Sequence, residues 1–220
     1  MRKTLLSSLA LAALTSTALT ANAEGVSFEG NVAVTTDYHW RGVTQSNQDM
    51  AIQGGFDLST EAGFYAGTWL SSVDFLDSTD TNIEWDIYGG YAGEFEGGLG
   101  FDVGFISYIY PDSGDADLDF TELYAGLSKD FESGFGLGGT LYWDPDNETV
   151  YAEAGAGFGV NDYLSIDANV GTYLDGFDEY TNYNLGATVS VEGFDLDLRW
   201  YDNDQDGADD NIVFSIGRAM

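Results

Sequence analysis

Cysteine is absent from this 220-residue chain, proline occurs twice and histidine once. Without thiols there is no disulfide framework, no zinc-thiolate site and no cysteine nucleophile, so stability must come from the backbone ladder and packing. Basic residues are nearly as scarce, with six Lys and Arg against 38 Asp and Glu. Phosphate affinity needs Lys and Arg, so nucleic acid is excluded as a partner. Such acidity draws cations toward the protein. After the N-terminus there is no apolar run of about 18 residues, the length that marks a helical membrane span. No segment there shows a helical period. What is plentiful is glycine, at 29 residues, and aromatic side chains, at 15%. A chain rich in glycine and aromatics and poor in proline reads as a long-stranded β-protein.

The first residues have a different character. Arg2 and Lys3 precede an apolar stretch from Leu5 to Leu14, and Ala21-Asn22-Ala23 follows as an A-x-A cleavage site. This predicts a secretory signal peptide over residues 1–23, cut before Glu24, in a bacterial exported protein. Residues 24–220 are then one domain. Its only basic residues are Arg41, Lys129, Arg199 and Arg218.

The stretch Val26 to Arg41 sets the pattern. Val26, Phe28, Gly30, Val32, Val34, Thr36, Tyr38 and Trp40 alternate with Ser27, Glu29, Asn31, Ala33, Thr35, Asp37, His39 and Arg41. Side chains on a strand point alternately to opposite faces, so this reads as one long ribbon with a greasy face and a wet face. The alternation returns along the chain, as in Ile83, Trp85 and Ile87 against Glu84, Asp86 and Tyr88, and in Phe194, Leu196, Leu198 and Trp200 against Asp195, Asp197 and Arg199. It predicts about twelve strands. Tighter turns, such as Glu61–Gly63 and Glu192–Gly193, alternate with longer acidic loops, such as Gly42–Asp49 and Asp202–Asn211. Short turns on one side and long loops on the other are the pattern of an outer-membrane barrel.

Aromatic placement agrees. Tyr38, Trp40, Trp85, Trp143 and Trp200 fall at the loop ends of their strands, and Phe28, Leu58, Tyr91, Phe101, Phe135, Phe158 and Phe194 at the turn ends. Two belts bounding an aliphatic band suit rings seated at two lipid–water interfaces. The predicted fold is therefore all-β, a closed antiparallel up-and-down transmembrane β-barrel. A soluble β-sandwich gives the same alternation, with the greasy faces meeting in a core. In lipid only closure pairs every backbone group. The final strand ends on Met220, with Arg218 on the lipid-facing set, near enough to the rim for its guanidinium to reach the headgroups.

Several segments carry a family likeness: Asp37 to Gln45 (DYHWRGVTQ), Ala51 to Asp57, Gly63 to Trp69, Glu84 to Tyr91, Tyr108 to Pro111, Glu122 to Ser128 and Val213 to Ile216. Together they resemble the TorF-type porin family of proteobacterial outer-membrane β-barrels. The resemblance implies an outer-membrane location, insertion by the barrel-assembly machinery and a porin-like role with an undefined cargo. The chain departs from the expected pattern at Met50, Ser72 and Met220.

The wet face supplies the candidate functional residues. Asp37, His39, Arg41, Asp57, Glu84, Asp86, Asp102, Glu122, Tyr124, Glu153, Asp167, Asp195, Asp197 and Arg199 are predicted to line the lumen. Carboxylates dominate this set, which favours cations over anions in a water-filled bore. Inward Tyr88, Tyr108, Tyr142 and Tyr151, with Tyr124, raise the opposite reading, a plugged polar interior. His39 has no serine nucleophile and orienting acid in evidence, so no catalysis is expected. The loop Asp202-Asn203-Asp204-Gln205-Asp206-Gly207 matches D-x-D-x-D-G, with Asp210 at the ninth position. Asp202, Asp204, Asp206 and Asp210 are thus candidate Ca²⁺ ligands, although Val213 stands where a bidentate Glu belongs. No other cofactor is expected. The expected function is passive diffusion of small polar, cationic solutes across a bacterial outer membrane, with lipid and those solutes as partners. The alternatives are a closed structural or ligand-binding barrel and a secreted Ca²⁺-binding sandwich.

Overall fold

A computed structural model describes residues 21–23, 25–75, 81–111, 113–176 and 179–220. Apart from Ala21–Ala23, the leader assigned to residues 1–23 lies outside the described residues, as do parts of three long loops.

Twelve strands form the wall: β1 (Val26–Thr35), β2 (Ala51–Thr60), β3 (Phe64–Ser72), β4 (Ile83–Phe95), β5 (Leu99–Ile109) and β6 (Phe120–Asp130). The second half adds β7 (Phe135–Asp144), β8 (Thr149–Gly159), β9 (Leu164–Asp175), β10 (Thr181–Val191), β11 (Phe194–Asn203) and β12 (Asn211–Ala219). Each pairs antiparallel with its sequence neighbours, and β12 pairs with β1 to close the ring. The last residue completes the seam, because Met220 and Gly30 exchange both backbone hydrogen bonds, at 2.7 and 3.0 Å. Closure leaves no free edge, the condition for a sheet to sit in hydrocarbon. A three-residue strand, Ala21–Ala23, pairs with Val26–Phe28 beyond the end of β12.

The greasy faces look outward. Val32, Phe56, Leu70, Val103, Leu127, Leu185 and Phe214, taken from around the ring, all have more than 40% of their surface exposed. They do not meet across a dry centre, which rules out the sandwich alternative. The interior is instead polar and aromatic: Glu84, Asp86, Glu122 and Tyr151 are 1–2% exposed. The phase of β3 places Trp69 inside at 7% exposure and Phe64 outside at 61%. Trp85 and Trp143 face outward at the loop ends, opposite Phe28, Phe135, Phe158 and Phe194 at the turn ends.

Two boundaries differ from the sequence reading. β4 runs four residues past Tyr91 to Phe95 and turns tightly through Gly97 and Gly98, both at positive φ. More consequentially, the ribbon read as Val26–Arg41 ends at Thr35. Its partner on β2 runs out there, since Thr35 faces Ala51, the first residue of β2, although β12 continues and Phe214 still accepts from the Thr36 backbone. Local bonds then take over: Thr35 Oγ1 donates to the Asp37 carbonyl, and the Asp37 carboxylate gathers its own donors. Tyr38 and Trp40 therefore do not belong to the outer aromatic belt. They turn inward with the loop.

Candidate functional site: a hairpin across the bore

Residues 36–50 connect β1 to β2 by folding into the barrel. Within them His39–Trp40 pairs antiparallel with Val43–Thr44, and Arg41-Gly42 forms the turn. Both turn residues have positive φ, 51° at Arg41 and 79° at Gly42, as a two-residue hairpin turn requires. Glycine accepts this freely, whereas an L side chain pays about 1–2 kcal/mol for it.

Contacts at the tip offset that strain. The Arg41 guanidinium donates to Glu122 at 2.7 Å and to the Tyr173 hydroxyl at 2.9 Å. Its Cζ lies 4.0 Å from the Tyr151 ring centre, 4.3 Å from Trp40 and 5.0 Å from Tyr142. Arginine between aromatic faces gains cation–π attraction on top of its ion pair. Tyr180 donates to the Arg41 carbonyl and Asn203 to the Gly42 carbonyl. Gly42 packs so tightly that a Cβ there would come within 2.6 Å of the Asn182 Cβ. These partners lie on β6, β7, β8, β9, β10 and β11 and in the β9–β10 connection. The hairpin starts from β1, so its tip reaches the far wall and divides the bore.

The base of the hairpin is anchored near where it starts. Asp37 accepts from Thr44 and Ser46 through one oxygen and from Asn211 through the other, which also lies 2.8 Å from His39 Nε2. Burial pushes the Asp37 carboxyl up, but these bonds, His39 first, outweigh it and hold it below its ordinary value of 3.8. His39 stacks on Tyr201 with ring centres 4.4 Å apart. Tyr38 donates to Glu84, whose other oxygen accepts from Tyr110, both at 2.7 Å.

The rest of the predicted lining lies on the inner wall. Arg199 makes a two-pronged contact to Asp167, at 2.6 and 2.9 Å, and weaker ones to Asp197 at 3.3 Å. Asp57 accepts from Tyr88, Asp102 from Tyr65, Glu153 from Tyr142 and Asp195 from Ser190. Tyr124 shares a hydroxyl contact with Tyr65. Asp86 is 1% exposed and its Oδ1 has no hydrogen-bond partner among the described residues. Among the described residues, the ion pairs of interior carboxylates with arginine are Glu122 with Arg41, and Asp167 and Asp197 with Arg199. Asp57, Glu84, Asp86, Asp102, Glu153 and Asp195 have no arginine or lysine partner there.

Large interior side chains lie flat along the wall over glycines. Tyr88 covers Gly67, Tyr124 covers Gly104, Tyr151 covers Gly171 and Arg199 covers Gly186; a Cβ at any of these glycines would collide with its cover. This arrangement keeps the tyrosines off the axis and leaves room for the hairpin.

The four loop aspartates do not converge. Asp202 accepts from the Asn203 backbone, Asp204 from the Thr181 backbone and Asp210 from the Trp200 indole, while Asp206 joins none of these contacts. Among the described residues no three acidic or histidine side chains come together as a metal site. The sequence reading missed Tyr38 and Trp40 as interior groups, and left Tyr65, Tyr173 and Asn182 out of the predicted lining. The one local signal for the hairpin is Arg41-Gly42, a turn-forming pair between two alternating dipeptides.

A closed antiparallel barrel with an apolar outer band and a polar bore has the architecture of a membrane β-barrel. The chain belongs to the family described as a bacterial protein of unknown function (Gcw_chp), whose model matches residues 20–215. No curated protein sequence matches it. In fold it is similar to the KdgM porin, with a TM-score of 0.64 and 6% identity over 87% of this chain and 98% of that one. The NanC porin superposes with a TM-score of 0.58 and 8% identity, over 88% of this chain and 98% of that one. The COG4313 outer membrane channel from Pseudomonas putida F1 gives 0.50 and 14%, over 91% and 97%. At these identities the likeness is one of fold.

Proposed function

We propose that this protein is an outer-membrane diffusion channel for small polar solutes, in which the hairpin of residues 36–50 sets the bore. The observation that carries the reading is the hairpin tip bonded to the wall opposite its origin, from Arg41 to Glu122. A structural barrel has no need of a loop folded through its centre, whereas a channel uses one to restrict size and charge. The porin-like fold and the resemblance of segments such as Asp37 to Gln45 to TorF-type porins support the same reading. So does the A-x-A leader, which suits cleavage before Glu24 and export.

The preferred solutes are cations. Six interior carboxylates have no arginine or lysine partner among the described residues, so the fixed charge along the bore is negative. One KdgM structure is described as a complex with oligogalacturonate, a polyanion. That cargo does not transfer, because a bore of this charge repels it. The test is conductance of the purified chain in a planar bilayer under a salt gradient. The expected result is discrete steps with a cation-selective reversal potential; anion selectivity overturns the charge argument.

A second reading, a closed barrel, is favoured by the tyrosine cluster of Tyr142, Tyr151, Tyr173 and Tyr180 packed against the hairpin. It predicts no steps at all from folded protein.

A further inference from the structure

Between the hairpin and the far wall lies a cavity of about 110 Å³, lined by Trp40, Phe120, Tyr173, Thr149, Glu122 and Asp144 among others. Its wall residues come from the loop-side ends of β6, β7, β8 and β9, so it sits on the long-loop side of the bore. The cavity is of the size of one small organic group, and a sugar or nucleoside would not be enclosed by it. Its chemistry is unusual for an apolar void. Three aromatic rings form its sides, and two carboxylates, each 1% exposed, stand behind them.

Charge decides what such a cavity takes. Aromatic faces attract cations, most strongly where water is excluded, and methylated ammonium groups are the ligands that combine positive charge with an apolar surface. The same rings already hold one cation. Trp40 and Tyr173 lie 4.3 and 5.4 Å from the Arg41 guanidinium. Arg41 balances only one of the two negative charges, because it bonds Glu122. Among the described residues Asp144 is paired to no cation; it accepts from the Asp146 and Asn147 backbones and the Asn147 amide.

We infer that this cavity is a binding site for small methylated ammonium cations, formed jointly by the hairpin and the β6–β9 wall. Its place in transport rests on the channel reading above; binding itself does not. A cation of this class settles against Trp40, Phe120 and Tyr173, with Asp144 and Glu122 supplying the field. Arg41 and the bound cation share the Trp40 ring, so occupancy and hairpin position are coupled.

The experiment is titration of the folded, detergent-solubilised full chain with tetramethylammonium chloride, followed by ligand NMR line broadening. tert-Butanol serves as the neutral probe of similar shape. Tetramethylammonium is expected to bind and tert-butanol not. Trp40→Leu and Phe120→Leu should each weaken binding about five- to tenfold. Phe120 lies on the wall and not on the hairpin, so its variant separates loss of the ring from loss of the hairpin, and heat-modifiable gel mobility confirms that each variant is folded. Equal binding of the neutral probe, or unchanged affinity in both variants, overturns the assignment. Binding without conductance would overturn the channel reading and leave this site standing.

Discussion

Arg41 and Glu122 form a 2.7 Å ion pair across the bore, between the tip of a hairpin that leaves β1 and the inner face of β6. Their side chains are 6% and 2% exposed. A pair this buried is costly to break from one side, because the remaining charge stays in place without its partner. Glu122→Gln should therefore release the hairpin tip and weaken its docking by about 3 kcal/mol. The check is limited proteolysis at the loop beside single-channel recording; the variant should be cut faster and should conduct more than the parent.

Gly42 offers a test that changes no charge. Its φ of 79° and the nearby Asn182 leave no place for a side chain. Gly42→Val should cost about 1–2 kcal/mol from backbone strain alone, plus the clash. The barrel should still fold, because its ladder is untouched, and the loop should become protease-sensitive. Unchanged cleavage in this variant would mean that the hairpin does not sit against the wall.

Much of this architecture is legible in the sequence, and the hairpin shows where legibility stops. Strand number, the inward and outward sets and the alternation of turns and loops all follow from a period of two. A hairpin also has a period of two. Asp37, His39 and Arg41 continue the polar set of β1, and Tyr38 and Trp40 continue its apolar set, so nothing in the alternation marks the bend at Thr35. What ends the strand is the loss of its partner on β2, a tertiary fact. The same holds for Trp69, whose strand has aromatics on both faces and whose inward phase is fixed by pairing with β4.

Gly186 tests the flat packing of the interior. It faces Arg199 across the β10–β11 pair, and a Cβ there would run into the guanidinium. Gly186→Val should displace Arg199 from Asp167 and lower stability by about 2–4 kcal/mol, through a buried charge left without its partner. Urea unfolding of vesicle-folded protein, followed by tryptophan fluorescence, measures it. Gly157→Ala, where a Cβ would make only ordinary 3.7 Å contacts, serves as the mild comparison.

Acid should loosen the hairpin at its base. Burial raises the Asp37 carboxyl, and the stronger effect of its His39, Thr44 and Ser46 bonds brings it below 3.8. A group lowered in the folded state contributes stability that is complete above its unfolded value and is lost as pH falls through its folded value. Docking should thus hold from neutral pH down to about 4 and weaken below 3.8. Asp37→Asn should remove most of that acid dependence, as read from proteolysis against pH.

The outward face is tested from the lipid side. Val103 is 46% exposed near the middle of β5, on the apolar band. Val103→Arg should cost about 2–4 kcal/mol of folding in a bilayer. If the apolar band met water instead of lipid, an arginine exposed at this position would cost almost nothing.

The central claim is that residues 36–50 cross the bore of a membrane channel and set its conductance. The absence of cysteine gives a clean background for one test. Gly42→Cys strains the tip as Gly42→Val does, and with Asn182→Cys it puts a thiol on each side of that contact. A disulfide then holds the tip to the wall once the two backbones part by about 1 Å, and reduction frees it. Recorded in a planar bilayer, the oxidised protein should show a low, steady conductance that rises on reduction as the tip is freed. Identical conductance before and after reduction, or no conductance in either state, would contradict the account.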